Sequence, residues 1–345
     1  MSLDSENNGA KVILPRSRVM QLVMVAIAVI VVIAIVVFFI MRNAPSNTQT
    51  QSVFAYVANS NSNSVSVINT ADNQVVATVQ VGAKPEGVVV SPNGEYTYVA
   101  NYGNSTVSVI DTSSNTVAST IKLPVGSYPY GEAVSANGDY LYVTSYAHDS
   151  VYVISLSNYT VLATIRVGVG PDSAVMSQGG QFLYVVNNGE SSVSVINTAT
   201  NSVTANISVG LYPSGVSLSP NGEYLYVANN ANNSVSVVNT SSNSVINTIK
   251  VSVGPIGLAV SPKGGFAYVV ENVADTVSMV NTTTGLMTIT LSVGKNPTSV
   301  AMTRNGDYAY VTNAKDNTVS VIDTVTNSVI TNINVGNTPV AVAVQ

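Results

Sequence analysis

A proline followed by one variable residue recurs seven times in this sequence, and the variable residues include its best candidates for chemistry. Three of them from consecutive repeats, Glu86, Tyr130 and Asp172, are acidic or phenolic. Such a cluster could bind a cation, a sugar or an amine, or serve in acid–base catalysis. The alternative, which we favour from the sequence, is that these residues have drifted in exposed loops. The full set is Glu86, Tyr130, Asp172, Ser214, Ile256, Thr298 and Val340, and its polar members are the candidate ligand-binding residues.

Other catalytic chemistry has little support in the composition. The chain has no cysteine and a single histidine, His148, so a thiolate nucleophile and a site built on several histidines are excluded. No motif places two carboxylates near each other in the sequence. We therefore predict no catalytic residue, no metal site and no cofactor. The net charge of −5 also argues against binding to nucleic acid, which needs a basic surface.

The elements that would position these residues repeat with a fixed period. A Tyr-Val pair recurs with spacings of 42, 44, 42, 42, 42 and 42 residues, beginning at Tyr56, Tyr98, Tyr142, Tyr184, Tyr226, Tyr268 and Tyr310. A period near forty with four short strands in each unit is typical of β-propeller blades. Asn-Gly pairs between alternating strands, such as Asn221-Gly222, indicate hairpin turns.

The two ends of the repeat array complement each other. The first unit, which begins at residue 53, lacks its first strand, and the chain ends with a spare first strand at Pro339–Val344. We therefore predict an all-β, seven-bladed propeller over residues 53–345, in which the C-terminal strand completes the first blade. Closing the propeller in this way removes open sheet edges.

These repeats resemble the YVTN-type β-propeller family. The tetrapeptide is YVAN at Tyr56, Tyr98 and Tyr226 and YVTN at Tyr310, and the flanking SVSVIDT-like strand and VG-x-x-P connector also match. The resemblance covers residues 53–345 and implies a role at the surface, because the family is common among archaeal surface-layer and exported bacterial proteins. It leaves activity open, since propellers include both enzymes and binding modules.

The N-terminus is predicted to anchor the propeller in a membrane. Residues 19–41 form an apolar run that would span roughly 34 Å as a helix, enough to cross a bilayer. Its length favours a retained anchor over a cleaved signal peptide. Three basic residues precede the run and one follows it closely, which predicts residues 1–18 as a cytoplasmic tail. Residues 42–52 would be a linker, and the propeller would be extracellular.

Two groups of asparagines bear on partners and on structure. Six asparagines lie in Asn-x-Ser/Thr sequons and are candidate glycosylation sites if the host glycosylates: Asn104, Asn158, Asn206, Asn232, Asn239 and Asn281. Five others close the repeated tetrapeptide: Asn59, Asn101, Asn187, Asn229 and Asn313. A residue shared by most blades is expected to be structural, capping its loop by hydrogen bonds to the backbone.

The sequence thus predicts a single-pass cell-surface propeller that is not an enzyme and acts in binding, adhesion or envelope assembly. Its partners would be envelope proteins or glycans held by the blade loops. One alternative is an extracytoplasmic, lactonase-like hydrolase that uses the acidic residues Glu86 and Asp172. Another is a ligand-sensing module at the membrane, although a tail of about eighteen residues is too short to hold a signalling domain.

Overall fold

The protein is built from seven four-stranded antiparallel sheets, and the predicted all-β, seven-bladed propeller is confirmed. The computed structural model describes residues 53–345 together with Met20 and Met24. The strands belong to one compact unit, Ser52–Gln345.

The strands follow one another blade by blade along the chain. Blade 1 contains β1 (Phe54–Asn59), β2 (Ser64–Asn69) and β3 (Gln74–Gln80). Blade 2 contains β4 (Pro85–Val90), β5 (Tyr96–Asn101), β6 (Thr106–Asp111) and β7 (Thr116–Lys122). Blade 3 contains β8 (Pro129–Val134), β9 (Tyr140–Ser145), β10 (Ser150–Ser155) and β11 (Val161–Arg166). Blade 4 contains β12 (Pro171–Met176), β13 (Phe182–Asn187), β14 (Ser192–Asn197) and β15 (Ser202–Ser208).

The remaining blades repeat this plan. Blade 5 contains β16 (Pro213–Leu218), β17 (Tyr224–Asn229), β18 (Ser234–Asn239) and β19 (Ser244–Lys250). Blade 6 contains β20 (Pro255–Val260), β21 (Phe266–Glu271), β22 (Thr276–Asn281) and β23 (Leu286–Ser292). Blade 7 contains β24 (Pro297–Met302), β25 (Tyr308–Asn313), β26 (Thr318–Asp323) and β27 (Ser328–Asn334). The last strand is β28 (Pro339–Val344), and short 3-10 turns occupy Ser60–Ser62, Tyr102–Asn104 and Asn188–Glu190.

The last strand closes the propeller as the sequence predicts. β28 pairs antiparallel with β1, with Val342 opposite Val57 and Val344 opposite Ala55, and so becomes the innermost strand of blade 1. Val342 is buried in a core cluster shared by blades 1 and 7. Equivalent clusters lie between other neighbouring blades. The interface between blades 1 and 7, where the propeller closes, is therefore packed like the interfaces between the other blades.

The turn between the first and second strands of a blade explains the repeated Asn-Gly pair. In blade 2 the backbone N–H of Ser91 donates to Tyr96 O (2.8 Å), which closes a loop around Asn93 and Gly94. Gly94 has φ +75°, a conformation that only glycine adopts without strain. The Asn93 side chain accepts hydrogen bonds from the Ser91 hydroxyl and from the backbone N–H of Glu95. The repeated residues are therefore structural.

The asparagine that ends the second strand in five of the seven blades is also structural, but its main partners differ from those predicted. Asn229 is fully buried, and its amide donates to the hydroxyls of Ser234 (3.2 Å) and Ser236 (2.9 Å) on the next strand. The backbone contact is additional, since Asn229 Oδ1 accepts from Gly210 N–H. Glu271 takes the same place in blade 6 and accepts from two hydroxyls and a backbone N–H. The prediction erred because hydroxyls on the next strand face the buried amide.

The predicted membrane helix, residues 19–41, lies outside the described residues apart from Met20 and Met24, as do the predicted tail (1–18) and linker (42–52). No helix within the described residues is long and apolar enough to span a bilayer. The anchor and the orientation of the chain remain predictions from the sequence.

Candidate functional site

The seven innermost strands all begin with a proline, and the residue after each proline faces a shared central cavity. This cavity has a volume of about 230 Å³, and its lining includes every member of the set predicted from the sequence. We call these residues the channel-mouth ring: Glu86, Tyr130, Asp172, Ser214, Ile256, Thr298 and Val340. The repeat thus brings together residues that are up to 254 positions apart.

Close packing between neighbouring inner strands fixes the ring. The hydroxyl of Thr144, on the second strand of blade 3, donates to Asp172 O (2.7 Å), and Ser173 donates to Ser214 O. Gly131 lies against Asp172 O, where a Cβ atom would collide with the backbone. These contacts hold the side chains of Tyr130 and Asp172 on adjacent blades at the same level of the channel.

Two carboxylates of the ring are held by hydroxyl groups. The Asp172 side chain is 9% exposed, and its Oδ2 accepts a hydrogen bond from Ser214 (2.8 Å). Burial raises the pKa of Asp172 to about 6; the bond from Ser214 opposes this shift and the charge of Glu86 adds to it. Glu86 Oε1 accepts from Ser60 (2.7 Å), and burial also raises the pKa of Glu86. Asp172 therefore titrates near pH 6, in the range to which enzymes tune carboxyl groups for acid–base catalysis.

A third carboxyl group in the cavity, Glu132, was missed by the sequence analysis. It lies two residues after Tyr130 on β8, is 9% exposed, and neither of its oxygens has a hydrogen-bond partner. Burial raises the pKa of Glu132 well above its usual range, which favours the neutral form of the group. A signal was present in the sequence, because the other six blades have an apolar residue at this position: Val88, Ala174, Val216, Leu258, Val300 and Val342.

Tyr130 stands between the charged groups. The negative charge of Asp172 is the main cause that raises the pKa of the Tyr130 phenol well above its usual range, followed by burial and the charge of Glu86. The phenol therefore keeps its proton and can donate a hydrogen bond. The cavity combines a neutral phenol, a carboxyl group whose burial favours its neutral form and a carboxylate that titrates near pH 6, which suits acid–base chemistry on a small polar substrate.

The remaining candidates lie elsewhere. His148 is exposed in its loop, with Nδ1 2.7 Å from the hydroxyl of Tyr152. In residues 53–345 no group of three or more histidine, aspartate or glutamate side chains could hold a metal ion. Four sequon asparagines, Asn104, Asn158, Asn206 and Asn232, are exposed, whereas Asn239 and Asn281 are half-buried.

The raised pKa values predict that acid stabilises this fold. The pKa of Asp172 is about 6 in the folded chain and near 3.8 in the unfolded chain. Between pH 3.8 and pH 6 this group is therefore protonated to a greater extent in the folded chain than in the unfolded chain. The free energy of unfolding should therefore increase as the pH falls from 7 to 4, by at most about 3 kcal/mol from this group, and Glu86 and Glu132 act in the same direction.

The measurement is the melting temperature between pH 4 and pH 7 for the unmodified chain and for Asp172→Asn. Asp111 and Asp323 have lowered pKa values and act in the opposite direction, mainly below pH 4, outside this range. The melting temperature of the variant should rise less than that of the unmodified chain as the pH falls from 7 to 4. Equal pH dependence in the two proteins would contradict the burial of an ionised Asp172.

Fold and site together define a seven-bladed propeller with an acidic site at the mouth of its channel. Residues 44–287, more than two thirds of the chain, match the model of the family described as "Lactonase, 7-bladed beta-propeller", and the chain belongs to that family. The matched region includes Glu86, Tyr130, Glu132 and Asp172. The comparisons do not confirm the YVTN-type resemblance.

Solved structures agree on the fold. A structure described as hydrazine synthase from Kuenenia stuttgartiensis is 21% identical, with a TM-score of 0.68, over 74% of this chain and 88% of that one. A functionally unknown protein from Desulfotomaculum acetoxidans is 14% identical, with a TM-score of 0.75, over 85% of this chain and 99% of that one. A search of curated proteins finds no match. At these identities the structures show the fold alone.

The family corrects one prediction from the sequence. The protein was predicted not to be an enzyme, and this is wrong, because the family it belongs to is a hydrolase-like enzyme family. The prediction failed for a physical reason. The repeated residues are structural, as expected, whereas a glutamate occurs at the position of Glu132 in one blade, and its burial in the cavity that Asp172 also lines is visible only in the folded chain.

Proposed function

We propose that this protein is a lactonase that hydrolyses a small cyclic ester at the channel mouth. Membership of the lactonase family supports the reaction class. The observation that carries the proposal is Glu132, a buried carboxyl group without a hydrogen-bond partner, which lines the same cavity as Asp172. Leaving such a group unpaired lowers the free energy of unfolding by about 1–3 kcal/mol. That a single blade carries this group favours a role for it in binding or catalysis.

The three groups take different parts in the reaction. Asp172, ionised above about pH 6, accepts a proton from a water molecule whose oxygen attacks the carbonyl carbon of the lactone. The phenol of Tyr130 and the neutral carboxyl of Glu132 donate hydrogen bonds to the carbonyl oxygen, where negative charge develops. The bond from the carbonyl carbon to the ring oxygen then breaks. The proton held by Asp172 passes to that oxygen, which gives an open-chain hydroxy acid and restores the carboxylate.

The size of the cavity restricts the substrate. Its volume of about 230 Å³ is below the roughly 300–1,000 Å³ of pockets for drug-sized ligands. We therefore expect a five- or six-membered lactone with few substituents, and poor activity on lactones that carry long acyl chains.

The test is hydrolysis of δ-valerolactone by the full-length chain and by its Asp172→Asn variant. Removing the general base should lower kcat/KM by about 10²–10⁴-fold. In the unmodified protein kcat/KM should rise with pH around a midpoint near 6, and Ser214→Ala should move that midpoint upward because the Ser214 hydroxyl stabilises the ionised form.

A matched control separates this effect from a general change in charge. Glu95→Gln alters an exposed carboxylate in the turn after β4, at the end of the strand away from the channel mouth, and should leave the rate unchanged. An unmodified protein that does not accelerate lactone opening, or an Asp172→Asn variant with full activity, would overturn the proposal.

We also propose that the site works outside the cell. The apolar run at residues 19–41 and the basic residues before it support this location. Binding of envelope proteins or glycans by the blade loops remains a prediction. Protease digestion of intact cells tests the location, and a propeller that is protected until the cells are lysed would contradict it.

A further inference from the structure

Four tyrosines form a connected cluster beside the acidic side of the channel mouth, and one of them, Tyr130, lines the cavity. The rings of Tyr102 and Tyr128 are stacked, with centroids 4.7 Å apart and planes at 22°. Tyr130 packs edge-on against Tyr102 (6.5 Å) and lies 6.4 Å from Tyr146. We call these four residues the tyrosine wall. All come from blades 2 and 3, and elsewhere the position of Tyr102 and Tyr146 is filled by Ser60, Asn188, Asn230, Asn272 and Ala314.

The backbone conformation of Tyr128 belongs to the repeat. Tyr128 has φ +47°, and φ is positive at the residue before the proline in all seven blades; the other six residues are Lys84, Gly170, Tyr212, Gly254, Asn296 and Thr338. What distinguishes Tyr128 is its side chain, which stacks on Tyr102 while 41% of the residue's surface remains exposed.

The charges beside the wall are negative. Glu86 and Asp172 line the cavity, and none of its described lining residues is lysine, arginine or histidine. Lys84 is exposed, and its charge is the weakest of the three influences on the pKa of Glu86. The charges of Asp172 and Glu86 raise the pKa of the Tyr130 phenol, and the charge of Glu86 also raises that of Tyr102. Glu86 and Asp172 therefore lie close to the tyrosine wall.

This combination discriminates between ligand charges. A phosphate or carboxylate on the ligand would face Glu86 and Asp172 with no cationic partner among the cavity-lining residues. An organic ammonium group would be attracted by both carboxylates and by the faces of well-placed aromatic rings. A neutral ligand would gain only the contact with the rings.

We propose that the tyrosine wall and the carboxylates beside it bind a small organic cation, and that the lactone opened at this site carries an ammonium group. The second part rests on the proposed lactonase function. The first part does not, because it concerns binding alone.

The test compares two five-membered lactones of nearly equal size, one carrying a trimethylammonium group and the other a neutral tert-butyl group in its place. The full-length protein should open the cationic lactone with a KM at least tenfold lower, and this preference should shrink in high salt. Tyr102→Ala should reduce the preference several-fold. Tyr212→Leu, at the position equivalent to Tyr128 in blade 5, where the side chain is 59% exposed, is the control and should retain the preference.

A binding measurement separates the two proposals. Titration calorimetry with benzyltrimethylammonium ion should detect binding to the unmodified protein and weaker binding to Tyr102→Ala. Equal KM values for the two lactones would overturn the proposed cation selectivity while leaving the lactonase in place. Binding of the ammonium ion without hydrolysis of either lactone would support the cation site and count against the lactonase. Neither binding nor hydrolysis would overturn both.

Discussion

Replacement of Glu132 by leucine should give a propeller that is more resistant to heat but hydrolyses lactones at least about 100-fold more slowly. Glu132 is buried without a hydrogen-bond partner, so its removal relieves an unfavourable burial of about 1–3 kcal/mol and adds apolar contact. For a domain of this size that corresponds to a rise of a few degrees in the melting temperature. The rate falls because the leucine variant can no longer donate a hydrogen bond to the carbonyl oxygen, where negative charge develops.

The measurements are thermal unfolding followed by circular dichroism and the rate of δ-valerolactone opening. Glu132→Gln keeps the shape and one donor, so it should retain part of the activity without a comparable gain in stability. Leu258→Glu is the matched reverse change, because Leu258 occupies the same position in blade 6 and is buried there, and it should lower the melting temperature. A Glu132→Leu variant with full activity would refute the role assigned to this residue.

Removal of residues 337–345 should abolish the stable fold at physiological temperature. These residues include β28, whose five register pairs with β1 provide the innermost strand of blade 1. They also supply contacts across the closure, including Thr338 O with the Ser60 N–H (2.9 Å) and the Gln345 amide with Gly94 O (2.7 Å). The free energy lost with these contacts and with the buried side chain of Val342 is comparable with the usual free energy of unfolding of a protein, about 5–15 kcal/mol. The open edge of β1 should then promote aggregation.

The measurement is thermal unfolding and light scattering of the truncated chain, with and without a synthetic peptide of residues 337–345. Addition of the peptide should restore a cooperative transition, since it can pair with β1 in the native register. A peptide of the same composition in scrambled order is the control and should have no effect. A truncated chain that remains monomeric and equally heat-resistant would show that the closing strand is dispensable.

The amino-acid sequence alone determined the architecture of this protein. The period of the Tyr-Val pairs and the glycines that need positive φ are local signals, and β-hairpins depend mainly on local hydrogen bonds and turn geometry. The closing strand was predicted by counting strands, because the first repeat lacks its first strand and the last repeat is followed by a spare one. Because the repeat places equivalent residues at equivalent positions in each blade, Glu86, Tyr130 and Asp172, which follow the same proline of the repeat, line one cavity.

Only the tertiary structure decided what these residues can do. The pKa of a carboxyl group depends on its burial and on nearby charges, which arise when seven blades converge and which no single repeat contains. The unpaired state of Glu132 and the stacking of Tyr102 on Tyr128 likewise depend on contacts between neighbouring blades and loops. For this reason the sequence described the scaffold well but predicted wrongly that the protein is not an enzyme.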